Sequence, residues 1–179
     1  AAYYWKGKFF VGVLEGSNWC FVISSADASS WTPSSGNVFA STRLNCFVGD
    51  ESSLFAFMGS RSIFVYAPIT TTDGERWVAG SGGDTGGFPL SAAAGPDLLV
   101  ACGIKHDWHP SAEIMIRRHN EPWVPLSFGG PTIRDLRRGA GKVGGLVDVA
   151  TNGGYFTHAA FTTNGYHWSS NVISADPYS

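Results

Sequence analysis

The sequence predicts an all-β protein, a β-propeller with four visible four-stranded blades that either close into a ring or form part of a larger one. Four tryptophans, Trp31, Trp77, Trp123 and Trp168, lie 46, 46 and 45 residues apart, so the chain carries an internal repeat. Short apolar runs precede each tryptophan, and 23 glycines separate them into strand-length segments rather than helical stripes. Four short strands in a unit of about 45 residues are typical of a propeller blade.

The repeat divides the chain, as one domain, into blades of about 1–35, 36–83, 84–129 and 130–179. The first strands are predicted in AAYYW, LNCFV, PLSAAA and IRDLRR, and the second strands in FFVGV, LFAFM, LLVAC and LVDVA. The third strands are predicted in CFVIS, IFVYA, EIMIR and THAAF, and a short tail after each tryptophan provides the fourth. Glycine-bearing turns such as EGSN and TNGG join the second strands to the third.

Composition excludes several classes of partner. Of the 179 residues, 44% are hydrophobic and only 15% are charged, and the net charge is −2. This balance predicts a packed core and gives no general attraction to nucleic acid or to an acidic membrane. The apolar runs are too short to span a bilayer, and no motif predicts a cofactor. Because the chain begins without an initiator methionine or a signal peptide, we expect it to be cut from a longer one.

The three cysteines, Cys20, Cys46 and Cys102, each lie inside an apolar run. An odd number without C-x-x-C spacing argues against a disulfide framework and against a zinc site. We therefore predict three buried free thiols.

A seven-residue motif ends at each tryptophan. It is sharpest in TTDGERW, from Thr71 to Trp77, and in TTNGYHW, from Thr162 to Trp168. The motif resembles the Asp-box, the bacterial neuraminidase repeat found on the propeller blades of sialidases and of many bacterial and phage proteins. The positions that carry the resemblance are Ser25, Asp27 and Trp31; Thr71, Asp73, Gly74 and Trp77; Trp123; and Thr162, Asn164, Gly165 and Trp168.

The residue types of the motif predict a turn that supports itself between the third and fourth strands. The Asp or Asn side chain is expected to accept hydrogen bonds from backbone N–H groups just downstream, while the hydroxyl residue closes the turn from the other side. Glycine or asparagine tolerates a left-handed backbone, and the tryptophan is expected to bury its ring. The motif is therefore predicted to be structural, with neither a catalytic nor a binding role.

The segment RDLRRGAGKVGG holds the only basic cluster, which consists of Arg134, Arg137, Arg138 and Lys142. These side chains could bind a phosphate, a sulfate, a sugar carboxylate or an acidic partner. The segment is not a phosphate-binding Walker loop, because Val143 stands where a Ser or Thr must hold magnesium.

A second polar segment, HDWH, brings His106, Asp107 and His109 close together, with His119 further along the chain. A metal site would require further ligands from the fold, so a surface loop is the simpler interpretation and no metal is predicted.

No catalytic constellation is evident. Glycoside hydrolysis requires paired carboxylates, or a tyrosine nucleophile with a glutamate in sialidases, and no Glu is set in such a group here. The sequence therefore favours a non-catalytic structural or binding propeller, most similar to those of phage tails, fibres and nozzles. Its expected partners are other subunits of a virion or a host-surface glycan. The expected location is the virion or the extracellular space, with a cytoplasmic stage during assembly.

Two alternatives remain open. In the first, the chain is part of a sialidase-like glycoside hydrolase. In the second, it is an intracellular assembly factor that docks a partner protein through the basic cluster. We also expect the four blades to be a slice of a larger ring, since Asp-box propellers generally resemble rings of six or more blades.

Overall fold

The computed structural model describes residues 1–15, 19–35, 39–40, 43–59, 68–79, 87–105, 112–128, 133–151 and 154–175. Within these ranges every regular element is a β-strand, no helix is present, and all strand pairs within the sheets are antiparallel. The all-β prediction is confirmed. No described helix is therefore long and apolar enough to cross a membrane.

Four sheets follow one another along the chain. The first contains β1 (Ala2–Trp5), β2 (Lys8–Glu15), β3 (Trp19–Ser25) and β4 (Thr32–Pro33), with β5 (Phe39–Ala40) also paired to β3. The second contains β6 (Arg43–Gly49), β7 (Leu54–Gly59), β8 (Ile69–Thr71) and β9 (Val78–Ala79). The third contains β10 (Gly87–Ala94), β11 (Leu98–Lys105), β12 (Ala112–Arg118) and β13 (Val124–Phe128). The fourth contains β14 (Ile133–Gly139), β15 (Lys142–Thr151), β16 (Gly154–Thr162) and β17 (Ser169–Ala175).

The predicted strands correspond to these elements with one exception. The third strand of the second blade is predicted in IFVYA, residues 63–67, which lie outside the described residues. The strand that is described after these residues, β8, begins at Ile69 and pairs with β7 through Leu54 and Thr71.

The core lies between neighbouring sheets. Because side chains alternate along a strand, β7 sends Leu54 and Ala56 toward the first sheet and Phe55 and Phe57 toward the third. Three apolar clusters result, one for each pair of consecutive sheets. Each sheet is therefore stabilised mainly by its neighbours, as in a repeat protein.

The first strand of every sheet lines a common channel. One cavity of about 620 Å³ is bounded by parts of β1, β6, β10 and β14 together. Three of these strands, β6, β10 and β14, carry a β-bulge where they pair with the second strand of the same sheet. The bulges lie at Asn45, Leu90 and Asp135, so they recur every 45 residues. Adjacent inner strands are also linked by side chains: Asn45 Nδ2 donates to Pro89 O at 3.1 Å, and Leu136 N donates to Ser91 Oγ at 2.8 Å.

The three cysteines are buried free thiols, as predicted. Burial raises the pKa of the Cys46 thiol to about 12 and also raises that of Cys20 and Cys102. Cys102 Sγ additionally donates to the carbonyl oxygen of Ile133 in the next sheet at 2.8 Å. These thiols are therefore protonated side chains of the core at neutral pH.

Candidate functional site at the channel end

A second cavity, of about 630 Å³, lies where the turns after the first strands converge. Its wall contains residues from all four sheets: Lys6 in the first, Asp50 and Glu51 in the second, Asp97 and His119 in the third, and Arg138 in the fourth. Gly49, Ala94 and Arg138 border both this cavity and the axial one. The cavity is therefore the end of the channel, and we call it the channel-end site.

An ion pair between two sheets forms the floor of this site. Arg117, at the end of β12, donates from Nη1 to Asp50 Oδ2 at 3.0 Å, and the two side chains are only 12% and 17% exposed. The Arg117 guanidinium also lies 4.6 Å from the ring centroid of Phe55. His119 Nδ1 is 4.0 Å from the same carboxylate oxygen and its side chain is largely exposed. Arg117 is thus fixed by packing and charge, while His119 faces solvent.

The other oxygen of Asp50 is used by its own turn. Oδ1 accepts from Ser52 N at 2.7 Å, from Ser52 Oγ at 2.6 Å and from Ser53 N at 2.8 Å. Burial acts to raise the pKa of Asp50, but these hydrogen bonds and the Arg117 charge outweigh it, so the pKa is lowered. Asp50 is therefore an ionised, fully engaged carboxylate that holds Arg117 in place.

Aromatic and basic groups complete the wall. The indole nitrogen of Trp5 donates to the carbonyl oxygen of Asp50, and Lys6 Nζ lies 4.3 Å from the centroid of the Trp5 ring. Tyr4 borders the same cavity and is 60% exposed. The site thus offers apolar ring surface beside charged groups of both signs, a combination suited to a polar ligand that has flat apolar faces.

The predicted basic cluster is divided by the fold. Arg137 and Arg138 border the axial channel, and Arg138 also reaches the channel-end site. Lys142 instead lies over the ring of Phe161, 4.7 Å from its centroid. Arg134 lies on β14, and its side chain is outside the described part of the structure. Of the members whose side chains are described, Arg137 and Arg138 are placed together at the channel and Lys142 is not.

The motif turns have a shared hydrogen-bond pattern. In the second sheet Asp73 Oδ1 accepts from Glu75 N at 2.8 Å and from Arg76 N at 3.0 Å, and Gly74 N donates to Thr71 Oγ1 at 2.8 Å. Thr71 Oγ1 also donates to Asp73 Oδ1 at 2.9 Å. These bonds lower the pKa of Asp73 to about 2, the N–H of Glu75 contributing most.

The first and fourth sheets repeat this pattern. Asp27 Oδ1 accepts from Ser29 N and Ser30 N, and Asn164 Oδ1 accepts from Tyr166 N and His167 N, at 2.8–3.0 Å. Gly165 N donates to the hydroxyl of Thr162 at 2.9 Å. The positions equivalent to Gly74 all have a left-handed backbone, including Ala28 in the first turn and Asn120 in the third. The turn is therefore set by backbone geometry that three different residue types adopt.

The motif tryptophans differ in burial. Trp77 is 2% exposed and packs on Phe10 of the first sheet and Phe47 of its own, while Trp123 is 8% exposed and packs on Phe55 and Phe57 of the second sheet. Trp168 is half-buried and donates from Nε1 to Gly165 O at 2.9 Å. The prediction of a buried ring is wrong for Trp31, which is 38% exposed. The physical reason is that each buried motif tryptophan packs in the interface with the preceding sheet, and the described structure places no sheet before the first.

The other polar segment gives no site. His106, Asp107 and His109 lie outside the described residues. Among the residues that are described, no group of three His, Cys, Asp or Glu side chains could hold a metal ion.

Sequence reasoning missed Asp50, Arg117 and the cavity they help to form. The available signal was the third copy of the motif, RRHNEPW, in which Arg117 and His119 replace the hydroxyl and Asp positions. In the structure these two replacements are the residues that reach Asp50. The copy that departs from the turn pattern is thus the one that contributes side chains to the channel-end site.

Comparisons with known proteins support the fold alone. A scan against protein-family models finds no match, and a search of curated proteins finds none either. Among solved structures the chain is similar to a thermostable family-43 glycoside hydrolase, with a TM-score of 0.52, 7% identity, and coverage of 97% of this chain and 71% of that one. It is also similar to the catalytic domain of a Coprinopsis cinerea GH62 α-L-arabinofuranosidase, with a TM-score of 0.49, 10% identity, and coverage of 95% and 66%.

Both neighbours have five-bladed β-propeller folds. The family-43 likeness, together with the four stacked antiparallel sheets, confirms that this chain has a β-propeller fold. The chain spans slightly less than two thirds of the GH62 domain.

Proposed function

We propose that the chain is a non-catalytic β-propeller module that binds a glycan at the channel-end site. One observation carries the proposal: the third turn has lost the residues that support the turn and in their place presents Arg117 and His119 to the cavity. A sugar ring offers hydroxyls to charged groups and an apolar face to aromatic rings, and Tyr4 and Trp5 supply such surface here. The fold likeness to a glycoside hydrolase is consistent with this ligand class.

Affinity electrophoresis and calorimetry with neutral and acidic polysaccharides test the proposal. Arg138→Ala or His119→Ala should weaken binding roughly tenfold, as loss of one polar contact does, without changing the melting temperature. Lys142→Ala is the matched control. Lys142 is an exposed cation that is close to Arg138 in sequence, but it lies outside the cavity wall. Equal affinity of the Arg138 and Lys142 variants would contradict a ligand at this site.

Non-catalytic binding is favoured over hydrolysis by the state of Asp50. Both of its oxygens are engaged and its pKa is lowered, so it is unsuited to act as a general acid. Glu51 and Asp97 remain as carboxylates on the cavity wall, and they motivate the hydrolase alternative. We expect no release of reducing sugar or of a fluorogenic aglycone, including that of a sialoside. Turnover that disappears in Glu51→Gln or Asp97→Asn would instead establish a glycosidase.

We further propose that the turns belong to the Asp-box class and that the protein is a subunit of a virion or of another extracellular assembly. The shared hydrogen bonds of three turns support the first statement, and the Asp-box resemblance with a non-catalytic site motivates the second. Mass spectrometry of purified particles from the source culture tests this role. Recovery only with cytoplasmic complexes would favour the assembly-factor alternative, in which Arg137→Ala with Arg138→Ala should weaken a salt-sensitive association.

A further inference from the structure

The first sheet has an apolar face on which no other described sheet packs. Strand register places Tyr4, Phe9, Val11, Phe21 and Ile23 on this face, opposite to the side that packs on the second sheet. Phe9 is 39% exposed and Tyr4 60%. We call this surface the outer face of the first sheet. It is independent of the channel-end ligand, apart from Tyr4 at its edge.

The same positions are covered in the other three sheets. The residue that pairs with the start of the motif is Phe9 in the first sheet and Leu54, Leu99 and Val143 in the following ones. The latter three are at most 4% exposed, because the preceding sheet packs on them. Trp31 shows the same contrast with Trp77 and Trp123. The outer face therefore has the pattern of an interface with a preceding sheet.

The fourth sheet is open on its other face, the one that points away from the third sheet. Its described residues that point away from the third sheet include Gly144, Leu146, Ala159 and Phe161, which are only partly buried. Among the described strands, extensive contacts join the first sheet to the second, the second to the third and the third to the fourth, whereas no extensive contact joins the fourth to the first. Two open faces thus flank one gap.

The two sheets that flank the gap share the axial channel. Tyr3 of the first sheet and Arg137 of the fourth border the same cavity of about 620 Å³, so the inner strands on either side of the gap line one channel. Four sheets that already surround one channel leave too little room for four more sheets from a second copy.

We propose that one further four-stranded blade, carried by polypeptide continuous with this chain, fills the gap and closes a five-bladed ring. Toward the outer face of the first sheet this blade presents aliphatic or aromatic side chains, as Phe55 and Phe57 do toward the third sheet. Toward Gly144 and Ala159 it presents larger side chains, because small residues leave space there. The five-bladed fold of the family-43 neighbour supports the same blade number.

The width of the gap tests the proposal directly. Spin labels on Val11→Cys and Leu146→Cys, both on second strands, report the distance between the two open faces. The native thiols are buried, so they should not take the label. Face-packed sheets lie about 10 Å apart, so one intervening blade predicts about 20 Å between the labels. A distance of about 10 Å would show a ring closed by four blades, and one beyond about 30 Å would require more than one extra blade.

A pair of adjacent phenylalanines provides a second readout on residues 1–179. Phe10 is fully buried toward the second sheet, whereas Phe9 lies on the outer face. Phe10→Ala should lower the melting temperature by about 10 °C, and Phe9→Ala should change it little. Equal losses would mean that the outer face is already covered. A defined dimer that Phe9→Ser dissociates would assign the face to a second copy.

The coding sequence that adjoins this segment decides the source of the blade. We expect it to encode a further unit of about 45 residues with two apolar runs of strand length. Adjoining sequence without such a unit would overturn the proposal of a continuous fifth blade.

Discussion

At the scale of single residues, the motif turn depends on one acceptor oxygen, which either a carboxylate or a side-chain amide can provide. Asp73 and Asn164 accept the same pair of downstream N–H groups, at 2.8–3.0 Å, although one side chain is charged and the other neutral. The acceptor geometry is therefore sufficient for the turn, and the charge of Asp73 adds a dependence on pH.

Replacing Asp73 with asparagine should separate these two contributions. The folded-state pKa of Asp73 is about 2, below its usual value near 3.9, so its stabilising effect is complete above about pH 4 and is lost as the pH falls toward 2. Asp73→Asn should therefore retain most of the stability at pH 7 and flatten the decline between pH 4 and 2. Melting curves across this range provide the measurement.

Glu75→Gln serves as the control for Asp73→Asn, since this exposed carboxylate lies in the same turn but accepts none of its backbone bonds. If Glu75→Gln reduced the loss of stability between pH 4 and 2 as much as Asp73→Asn does, the hydrogen bonds of the turn would not be the cause of that loss.

The four tryptophans are equivalent in sequence but not in packing. Trp77→Ala removes a ring held between Phe10 and Phe47, and we expect a loss of about 3–5 kcal/mol in the free energy of unfolding. Trp31→Ala removes a ring that is 38% exposed and should cost less than about 1 kcal/mol in residues 1–179. Denaturant titration of both variants measures this difference, and similar losses would contradict the sheet order described here.

At the scale of elements, the motif turns of the second and fourth sheets also pack on the sheet before them. A Cβ added at Gly74 would lie 2.7 Å from Phe10 Cζ, and one added at Gly165 would lie 2.7 Å from Ile116 Cγ2. Both glycines also have a positive φ, so the position is restricted twice: by the turn itself and by the neighbouring sheet.

Gly141 allows these two restrictions to be measured separately. It has φ +73° in the β14–β15 hairpin, and no heavy atom lies within 4 Å of the place that an added Cβ would take. Gly141→Ala should therefore report backbone strain alone, about 1–2 kcal/mol. Gly74→Ala should destabilise by about 1–3 kcal/mol more because of the overlap with Phe10. Chemical denaturation of the two variants measures the difference, which would vanish if the turn did not contact the first sheet.

The strands could largely be predicted from sequence because their signals are local. Apolar runs such as FFVGV and LLVAC contain their own alternation, and the motif contains its own turn chemistry. The bulges at Asn45, Leu90 and Asp135 could not be predicted in this way, because a bulge depends on the register between two strands.

At the scale of the whole molecule, the channel-end site depends on contacts that no local pattern encodes. Asp50 and Arg117 are 67 residues apart and meet only because two sheets stack. The basic cluster illustrates the opposite case: its members are close in sequence, yet Arg138 faces the channel while Lys142 lies on Phe161. Proximity in sequence therefore predicted a cluster that the fold divides.

Stacking in series also predicts how stability is distributed. The second and third sheets are covered on both faces, whereas the first and fourth each have one open face. Hydrogen exchange followed by mass spectrometry should show the slowest exchange in β7 and β11 and faster exchange in β2 and β15. Uniform protection across the four sheets would indicate a single cooperative unit with a closed ring.

The recurring bulge gives this propeller a set of positions that could be redesigned. Asn45, Leu90 and Asp135 all border the axial channel, and they differ in character as an amide, a hydrocarbon and a carboxylate. At each bulge two residues lie opposite one residue of the neighbouring strand. The extra residue has no pairing partner there, so the strand register does not require a particular side chain at that position. Leu90 is the freest of the three, because Asn45 bonds to the next strand and Asp135 has a positive φ. The lining of the channel can therefore be varied most readily at Leu90, in the third blade, while the strands around it keep their register.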